Sequence, residues 1–200
     1  MSRVEFLCQV LDLNDVTRTG WERRGIEKPQ RVAGHVWGVS LLTMLFAPEA
    51  EGVDPEKARQ MAIIHDIAEA KTGDIAVGEV HQEVSISEKV EREEQAIDDL
   101  VEIAGEQIPA VEHIPSLWRE FEEGETSEAN FVRDMDIIEM CLMALKYERQ
   151  RRYNEEVASD GTYERLDGFF ATANNEITTK LGRGLLDEIE IEYKQAKPTE

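Results

Sequence analysis

Apolar side chains recur at spacings of three and four residues through most of this 200-residue chain. This is the periodicity of helices that bury one face. The alternation typical of strands is nearly absent, with brief β-branched content only at 76–80 and 84–87. The pattern predicts helices over 3–13, 31–46, 55–71, 87–104, 113–122, 127–152, 162–181 and 183–195. The sequence therefore predicts an all-α fold.

Residues typical of helix ends separate these segments. Asp54 followed by Pro55 is typical of an N-cap and a first-turn proline. Ser85 with Glu88 three residues later predicts a capping box. Four glycines lie at expected helix ends: Gly105, Gly124, Gly161 and Gly182. Because no repeat and no flexible linker divides the chain, we expect a single domain, with a main part over 1–160 and C-terminal helices over 161–200 packing on it.

The charge balance excludes two kinds of partner. The chain carries 43 acidic and 22 basic side chains, which gives a net charge of −21. Such a surface repels nucleic acid and anionic membranes, so we expect neither as a partner. Only 8 of the basic residues are lysines and 14 are arginines. Scarce lysine together with abundant carboxylates leads to a halophilic hypothesis, in which the protein works in a high-salt cytoplasm.

Cysteine usage and hydropathy favour a cytoplasmic location. Cys8 and Cys141 are far apart and form no C-x-x-C pair, which argues against a disulfide scaffold and a thiolate zinc site. No signal peptide is expected, because Glu5 and Asp12 interrupt the first apolar segment. The longest stretch without Asp, Glu, Lys or Arg is Val32–Pro48, which is shorter than the ~20 residues of a membrane span.

Three ionisable residues interrupt the helix predicted over 55–71. On a helix, His65 and Glu69 are four residues apart and Asp66 and Glu69 are three apart, so all three lie along one side. Burying such groups unpaired costs several kcal/mol, and a divalent metal would compensate a histidine beside two carboxylates. The alternative is a surface helix that carries the three residues on its polar face.

Two further polar residues lie on apolar stripes of other predicted helices. These are His35 and Asp136, and either of them alone could be a satisfied core residue. Asp134 lies about 160° around the helix from Asp136 and is expected to face elsewhere. Together with His65 and Asp66, the two stripe residues form a mixed nitrogen and oxygen set that suits Mn²⁺, Co²⁺, Fe²⁺ or Zn²⁺. Mg²⁺ is also compatible with this set.

A basic segment precedes His35. Residues 18–31 contain five basic and two acidic side chains, a local charge of +3 in an acidic chain. Such a segment would attract an anionic substrate, and the planar guanidinium of arginine suits phosphate. The alternative is a solvated loop whose charges pair with nearby acids.

Several segments resemble one known family. They are Arg18–Arg24, Pro29, His35, His65–Glu69, Thr72–Ile75, Glu88–Glu94 and Arg133–Glu148. The order His, His-Asp, Asp resembles the HD-domain superfamily of metal-dependent phosphohydrolases. The further segments resemble its 5′-deoxynucleotidase branch, the HD-domain-containing protein 2 group. This resemblance implies a bundle of mostly antiparallel helices around a central metal site, a homodimer, and removal of phosphate from deoxynucleoside 5′-monophosphates.

The resemblance also implies roles for individual residues. The residues that would bind the catalytic divalent metal are His35, His65, Asp66 and Asp136. Glu69 and Asp74 would be the catalytic acid/base and water-orienting groups, or would hold a second metal together with the carbonyl of Ile75. Trp21, with Arg18 or Arg24, would touch the nucleotide. Gly20 stands where bacterial members place an arginine, so the arginine that contacts phosphate is left undecided.

Two alternative functions stay open at this point. The first keeps the metal site and changes the substrate to another small phosphoester or a nucleoside polyphosphate, although the chain has no G-x-x-x-x-G-K-[ST] loop for a triphosphate. The second is a catalytically silent helical dimer that uses the metal as a structural pin. Glu69 and Asp74 favour catalysis, because a structural site has no need of two further acids.

Overall fold

The computed structural model describes residues 2–75, 84–158 and 163–197, and the described residues form helices joined by short turns. The helices are α1 (Arg3–Leu11), α2 (Thr19–Glu22), α3 (Val32–Phe46), α4 (Pro55–Ile64), α5 (Glu69–Thr72), α6 (Ile86–Ala104), α7 (Ile114–Glu123), α8 (Ser127–Gln150), α9 (Glu155–Ala158), α10 (Asp167–Glu176) and α11 (Lys180–Ala196). Short 3₁₀ turns cover Asp12–Asn14, Ala47–Glu49, Gly105–Gln107 and Pro109–His113. One isolated bridge pairs Thr17 with Arg31. The predicted all-α fold is confirmed.

The long helix α8 lies at the centre of the fold. It packs against α3, α4, α7, α10 and α11. Half of its 24 residues are buried, as expected for a helix that is covered on several sides. The largest apolar cluster forms around it and includes Phe131, Ile138 and Tyr147. The buried acidic residues of α8 are Asp134, Glu139 and Glu148, and Asp136 lies at the edge of the core with a partly exposed side chain.

A second apolar cluster forms around α6, which packs against α1, α5 and α7. Trp118 and Leu100 are among its most deeply buried members. The end of α4 joins the two clusters, because Met61 and Ala62 belong to the first and Ile64 to the second. Within the described ranges, each helix is either too short or too polar to cross a membrane.

Several predicted helix ends are confirmed. Asp54 caps α4 through its side chain, and Pro55 is the first residue of that helix. Ser85 and Glu88 form the capping box of α6. Gly124 ends α7 in the left-handed conformation, with φ of 65°. The segment 76–80, which shows brief β-branched content, and Gly161 lie outside the described residues.

The prediction that a helix ends at Gly182 is wrong. The break lies at residues 177–179, and Thr179 caps α11 by accepting a hydrogen bond from the amide of Gly182. Gly182 is buried inside the first turn, where an added Cβ would lie 2.5 Å from Oδ2 of Asp134. Glycine is required there by close packing against α8, which sequence spacing does not reveal.

Asp134 connects the C-terminal helices to α8. Its Oδ1 accepts a hydrogen bond from the amide of Thr178 at 3.0 Å, and its Oδ2 accepts one from the amide of Thr179 at 2.7 Å. The expectation that Asp134 faces away from Asp136 and the other candidate ligands is confirmed. At the other end of this segment, Phe169 packs on Trp21 with ring centroids 4.3 Å apart. The boundary at residue 160 stays a prediction.

Candidate metal centre

The His65-Asp66 pair lies in a turn. Sequence periodicity predicts one helix over 55–71, but α4 ends at Ile64 and α5 begins at Glu69. The physical reason is competition for a carbonyl: Nδ1 of His65 donates to the oxygen of Ala62 at 2.8 Å, which in a continuous helix would accept from the amide of Asp66. His65, Asp66 and Glu69 therefore do not lie along one side of a single helix, and the prediction of a continuous helix over 55–71 is wrong.

Four predicted ligand residues converge at this turn. Nε2 of His35 lies 3.0 Å from Oδ1 of Asp136 and 3.5 Å from Oδ2 of Asp66. Nε2 of His65 lies 3.3 Å from the same Asp66 oxygen and 3.4 Å from Nε2 of His35. The ligand atoms of His35, His65 and Asp66 all lie within 4.8 Å of one another, and Asp136 approaches from the His35 side.

The donor set fits a divalent cation. Nδ1 of His35 donates to Glu139 and Nδ1 of His65 donates to Ala62, so in both neutral rings the lone pair is on Nε2. These two lone pairs face each other and two carboxylates, an arrangement that repels unless a proton or a cation lies between them. Ligand atoms around a metal with bonds of ~2.0–2.2 Å are separated by ~3.0–3.5 Å. The three contacts among His35, His65 and Asp66 and the contact between His35 and Asp136 fall in this range.

The pKa shifts of the centre result from burial and neighbouring charges that act in opposite directions. Burial and the neighbouring Arg18 lower the pKa of His35, but hydrogen bonds with Asp136 and Glu139 outweigh them and raise it to about 9. Burial raises the pKa of Asp66, but His65, Arg18 and His35 outweigh burial and hold that pKa well below its usual range. The centre thus holds ionised carboxylates beside rings that bind a cation or a proton strongly.

Glu69 lies beside the turn with one oxygen unsatisfied. Its side chain is buried, and among the described residues its Oε2 has no hydrogen-bond partner. Burial, followed by the charges of Asp66 and Asp74, raises the pKa of Glu69 to about 11. A buried carboxyl group with a raised pKa beside a cation site can hold a proton and deliver it.

Arg18 and Asp74 lie next to the predicted ligands. Nη1 of Arg18 is 3.3 Å from Oδ2 of Asp66 and 3.5 Å from Oδ1 of Asp74. Asp74 also accepts from the amide of Thr19 at 2.5 Å, and its backbone carbonyl accepts from the Thr19 hydroxyl. Asp74 therefore holds the start of α2 and orients Arg18 toward the centre. Ile75 is the last described residue before the gap at 76–83.

The other two predicted nucleotide contacts lie elsewhere in this structure. Trp21 is 2% exposed and is packed between Tyr147 and Phe169. Nη1 of Arg24 donates to the carbonyl of Ala158 at 2.6 Å, and its guanidinium lies 5.8 Å from the Phe169 ring centroid. Arg18 is thus the predicted arginine that the structure brings to the centre, and contact of Trp21 or Arg24 with a nucleotide stays a prediction.

Sequence reasoning missed Glu139 and Gln30. Oε2 of Glu139 lies 2.6 Å from Nδ1 of His35, and its Oε1 accepts from Nε2 of Gln30 at 2.7 Å. Glu139 is three residues after Asp136 on α8 and is surrounded by Ile138 and Met140 in sequence. An acid at that spacing within an apolar run is a signal that could have identified it. Gln30 carries no comparable signal.

Known proteins resemble this chain along most of its length. Residues 10–178 match the HD domain family. A 5′-deoxynucleotidase of Schizosaccharomyces pombe, hdd1, is 32% identical over 200 residues, covering 98% of this chain and 92% of that protein. The 5′-deoxynucleotidase HDDC2 of Xenopus laevis is 33% identical over 147 residues, covering 74% of this chain and 70% of that protein.

A solved structure has the same fold. The PH0347 protein from Pyrococcus horikoshii OT3 superimposes with a TM-score of 0.72 and 27% identity, over 96% of this chain and 98% of that one. The convergent His and Asp residues, the helical architecture and these similarities agree. This chain belongs to the HD domain family.

Proposed function

We propose that this protein is a metal-dependent phosphohydrolase that removes phosphate from deoxynucleoside 5′-monophosphates. The observation that carries the proposal is the convergence of two imidazole nitrogens and two carboxylates, from three separate parts of the chain, with an arginine beside them. The residues that would hold the metal are His35, His65, Asp66 and Asp136. When bound, a divalent cation supplies Lewis acidity, which activates water and offsets charge on a phosphoryl oxygen.

Arg18 is proposed to bind the phosphate. Its guanidinium lies between Asp66 and Asp74, so this positively charged group is already oriented at the centre before a substrate binds. A guanidinium can form two parallel hydrogen bonds with a phosphate, which fixes the direction of the scissile bond. The remaining basic residues of 18–31 would attract the anion to this part of an acidic surface.

Glu69 is proposed to be the acid/base group. Its buried Oε2 can hold a proton, and transfer to the leaving 5′-oxygen would then release the nucleoside as a neutral alcohol. Asp74 is proposed to orient water and to hold Arg18, which it contacts directly. A second metal held by Glu69, Asp74 and the Ile75 carbonyl is the alternative use of the same groups.

The donor atoms favour a group of divalent metals. Two imidazoles favour Co²⁺, Mn²⁺, Fe²⁺ or Zn²⁺ over Mg²⁺, which prefers oxygen ligands. The substrate class is supported by the two relatives whose names are 5′-deoxynucleotidase and which share about a third of their aligned residues with this chain.

The proposal is tested by measuring phosphate release from deoxyribonucleoside and ribonucleoside 5′-monophosphates, nucleoside polyphosphates and other small phosphoesters, each with Co²⁺, with Mn²⁺ and with EDTA. We expect metal-dependent release that is confined to the deoxynucleotides. Release from polyphosphates or other phosphoesters alone would move the substrate to a different class. A protein that binds metal and releases phosphate from none of these compounds would support the structural-pin alternative.

The cellular context is also a proposal. We infer a cytoplasmic homodimer that is adapted to high salt, based on the family resemblance and the net charge of −21. Sedimentation equilibrium in 0.1 M and in high KCl tests the dimer. Unchanged thermal stability in dilute buffer would refute the halophilic hypothesis, because screening of carboxylate repulsion would then contribute nothing.

A further inference from the structure

A chain of hydrogen bonds, partly buried at Gln30 and fully buried at His35, leads from Trp21 to the metal centre. Nε1 of Trp21 donates to Oε1 of Gln30 at 3.4 Å, and Nε2 of Gln30 donates to Oε1 of Glu139 at 2.7 Å. Oε2 of Glu139 then accepts from Nδ1 of His35 at 2.6 Å. His35 is fully buried and Glu139 is 6% exposed, so water does not compete strongly for these groups.

The direction of every bond in this chain is determined by chemistry. An indole nitrogen can only donate, and a carboxylate can only accept. The Gln30 amide must therefore turn its oxygen to Trp21 and its nitrogen to Glu139. Glu139 in turn requires a proton on Nδ1 of His35, which leaves the lone pair of this ring on Nε2, the atom nearest to Asp136.

Two neighbours hold this chain in place. The backbone amide of Gln30 donates to the hydroxyl of Tyr147 at 2.9 Å. This bond anchors the backbone before α3. Gly38 on α3 leaves the space that Glu139 fills, because a Cβ there would lie 2.7 Å from Cγ and 2.8 Å from Oε1 of Glu139. Contacts below 3.0 Å force the carboxylate to move. Glu139 can therefore keep its position only while residue 38 has no side chain.

We propose that Glu139 and Gln30 are positioning residues for the metal, which fix the tautomer and the ring orientation of His35. This inference relies on the metal site of the proposed function but not on its substrate. A histidine ligand that donates its second nitrogen to a carboxylate is a stronger and better oriented ligand. The distinct feature here is that the buried Trp21, through Gln30, determines which oxygen of Glu139 is free for His35.

The first experiment measures Co²⁺ affinity by titration, following the visible absorption of the bound ion, in Glu139→Gln and Gln30→Met. In Glu139→Gln, the new amide oxygen can still accept from Nδ1 of His35. Its nitrogen then faces the side-chain nitrogen of Gln30, so two hydrogen-bond donors point at each other. Rotating the Gln30 amide only moves this conflict to Trp21. We expect the Co²⁺ dissociation constant of Glu139→Gln to rise about 10–100-fold. Gln30→Met keeps the side-chain volume and removes two hydrogen bonds, one from Trp21 and one to Glu139. Only the second reaches the metal centre, and its loss should raise the dissociation constant about fivefold.

The second experiment leaves all polar groups of the chain intact. Gly38→Ala should displace the carboxylate of Glu139, weaken Co²⁺ binding by a factor comparable to that of Glu139→Gln, and change the Co²⁺ spectrum. Gly34→Ala is the matched control on the same helix, because its Cβ would meet Cγ of Gln30 at 3.7 Å, an ordinary contact. It should bind Co²⁺ as the wild type does. Circular dichroism of each variant without metal reports whether the helices are retained.

A double variant separates positioning from general packing. If Gln30 acts through Glu139, Gln30→Met should add little to the loss of Co²⁺ affinity in Glu139→Gln. Wild-type Co²⁺ affinity in folded Glu139→Gln and Gly38→Ala, or fully additive effects in the double variant, would overturn the proposal. The two proposals can fail separately. If the variants bind Co²⁺ more weakly but the wild type hydrolyses no monophosphate, the positioning role is supported and only the proposed substrate is wrong.

Discussion

Substitution of Asp134 by asparagine should destabilise the whole fold. The Asp134 side chain is 1% exposed, and its two oxygens accept from the successive amides of Thr178 and Thr179. An asparagine keeps the shape and retains one acceptor oxygen. Its nitrogen would then face one of the two amide donors, so that N–H group loses its partner in a buried position.

The expected cost follows from two contributions. A hydrogen bond to a charged group contributes about 1.5–3 kcal/mol, and a buried donor left without a partner costs about 1–3 kcal/mol. The sum, about 2.5–6 kcal/mol, is a large part of the 5–15 kcal/mol by which a typical domain is stable. For a chain of this length, 1 kcal/mol corresponds to about 2–4 °C, so Tm should fall by about 5–24 °C.

Scanning calorimetry of Asp134→Asn beside Asp187→Asn measures this effect. Asp187 is exposed on α11, so its substitution changes the net charge equally without breaking the contacts of Asp134. A Tm for Asp134→Asn within about 2 °C of the Asp187→Asn value would refute the reasoning. The C-terminal helices would then be held by their apolar contacts alone.

Three further predictions concern the site and its surroundings. Glu69→Gln should lower turnover about 10²–10⁴-fold while metal content, measured by elemental analysis, stays near wild type; joint loss of metal and activity would place Glu69 among the ligands. Burial, partly offset by Lys89, raises the pKa of Glu93 from 4.5 to about 7. The unfolded chain therefore ionises first, and Glu93 reduces stability by up to about 3 kcal/mol as pH rises from 4.5 to 7. Urea titrations at pH 5 and pH 8 should show this loss diminished in Glu93→Gln and retained in the exposed control Glu91→Gln. Finally, EDTA should lower Tm, since metal at 100 times its Kd stabilises by about 2.7 kcal/mol; an unchanged Tm would argue against a bound cation.

Local pattern predicts much of this fold, because helices that bury one face carry the period of 3.6 residues in their own sequence. The same period identifies His35 and Asp136 as polar residues on core-facing stripes, and the structure brings them together with His65 and Asp66. Their placement depends on the helix that carries them, so sequence spacing selects them as candidates, and only their convergence separates a ligand set from satisfied core residues.

Other features depend on side-chain contacts that the helical period does not encode, some of them local and others between distant parts of the chain. The helix break at His65 arises because a side-chain nitrogen takes a carbonyl from the backbone, and a propensity scale does not include this competition. Trp21 is buried by Phe169, which is 148 positions later. Gln30 meets Glu139 across 109 positions. The position of Glu139 within an apolar run marks it as a candidate polar core residue, but nothing in the sequence indicates Gln30 as its partner or Phe169 as the partner of Trp21.

The position of three acids on one helix has a consequence for how this chain can change in length. Asp134 contacts the C-terminal segment, whereas Asp136 and Glu139 face His35, all within six residues of α8. Each residue advances a helix by about 100° and 1.5 Å. A one-residue insertion or deletion between Asp134 and Asp136 would therefore turn one set of contacts away from its partners while the other stayed in place. Related proteins should vary in length in the turns between helices, and the number of residues in this part of α8 should stay constant.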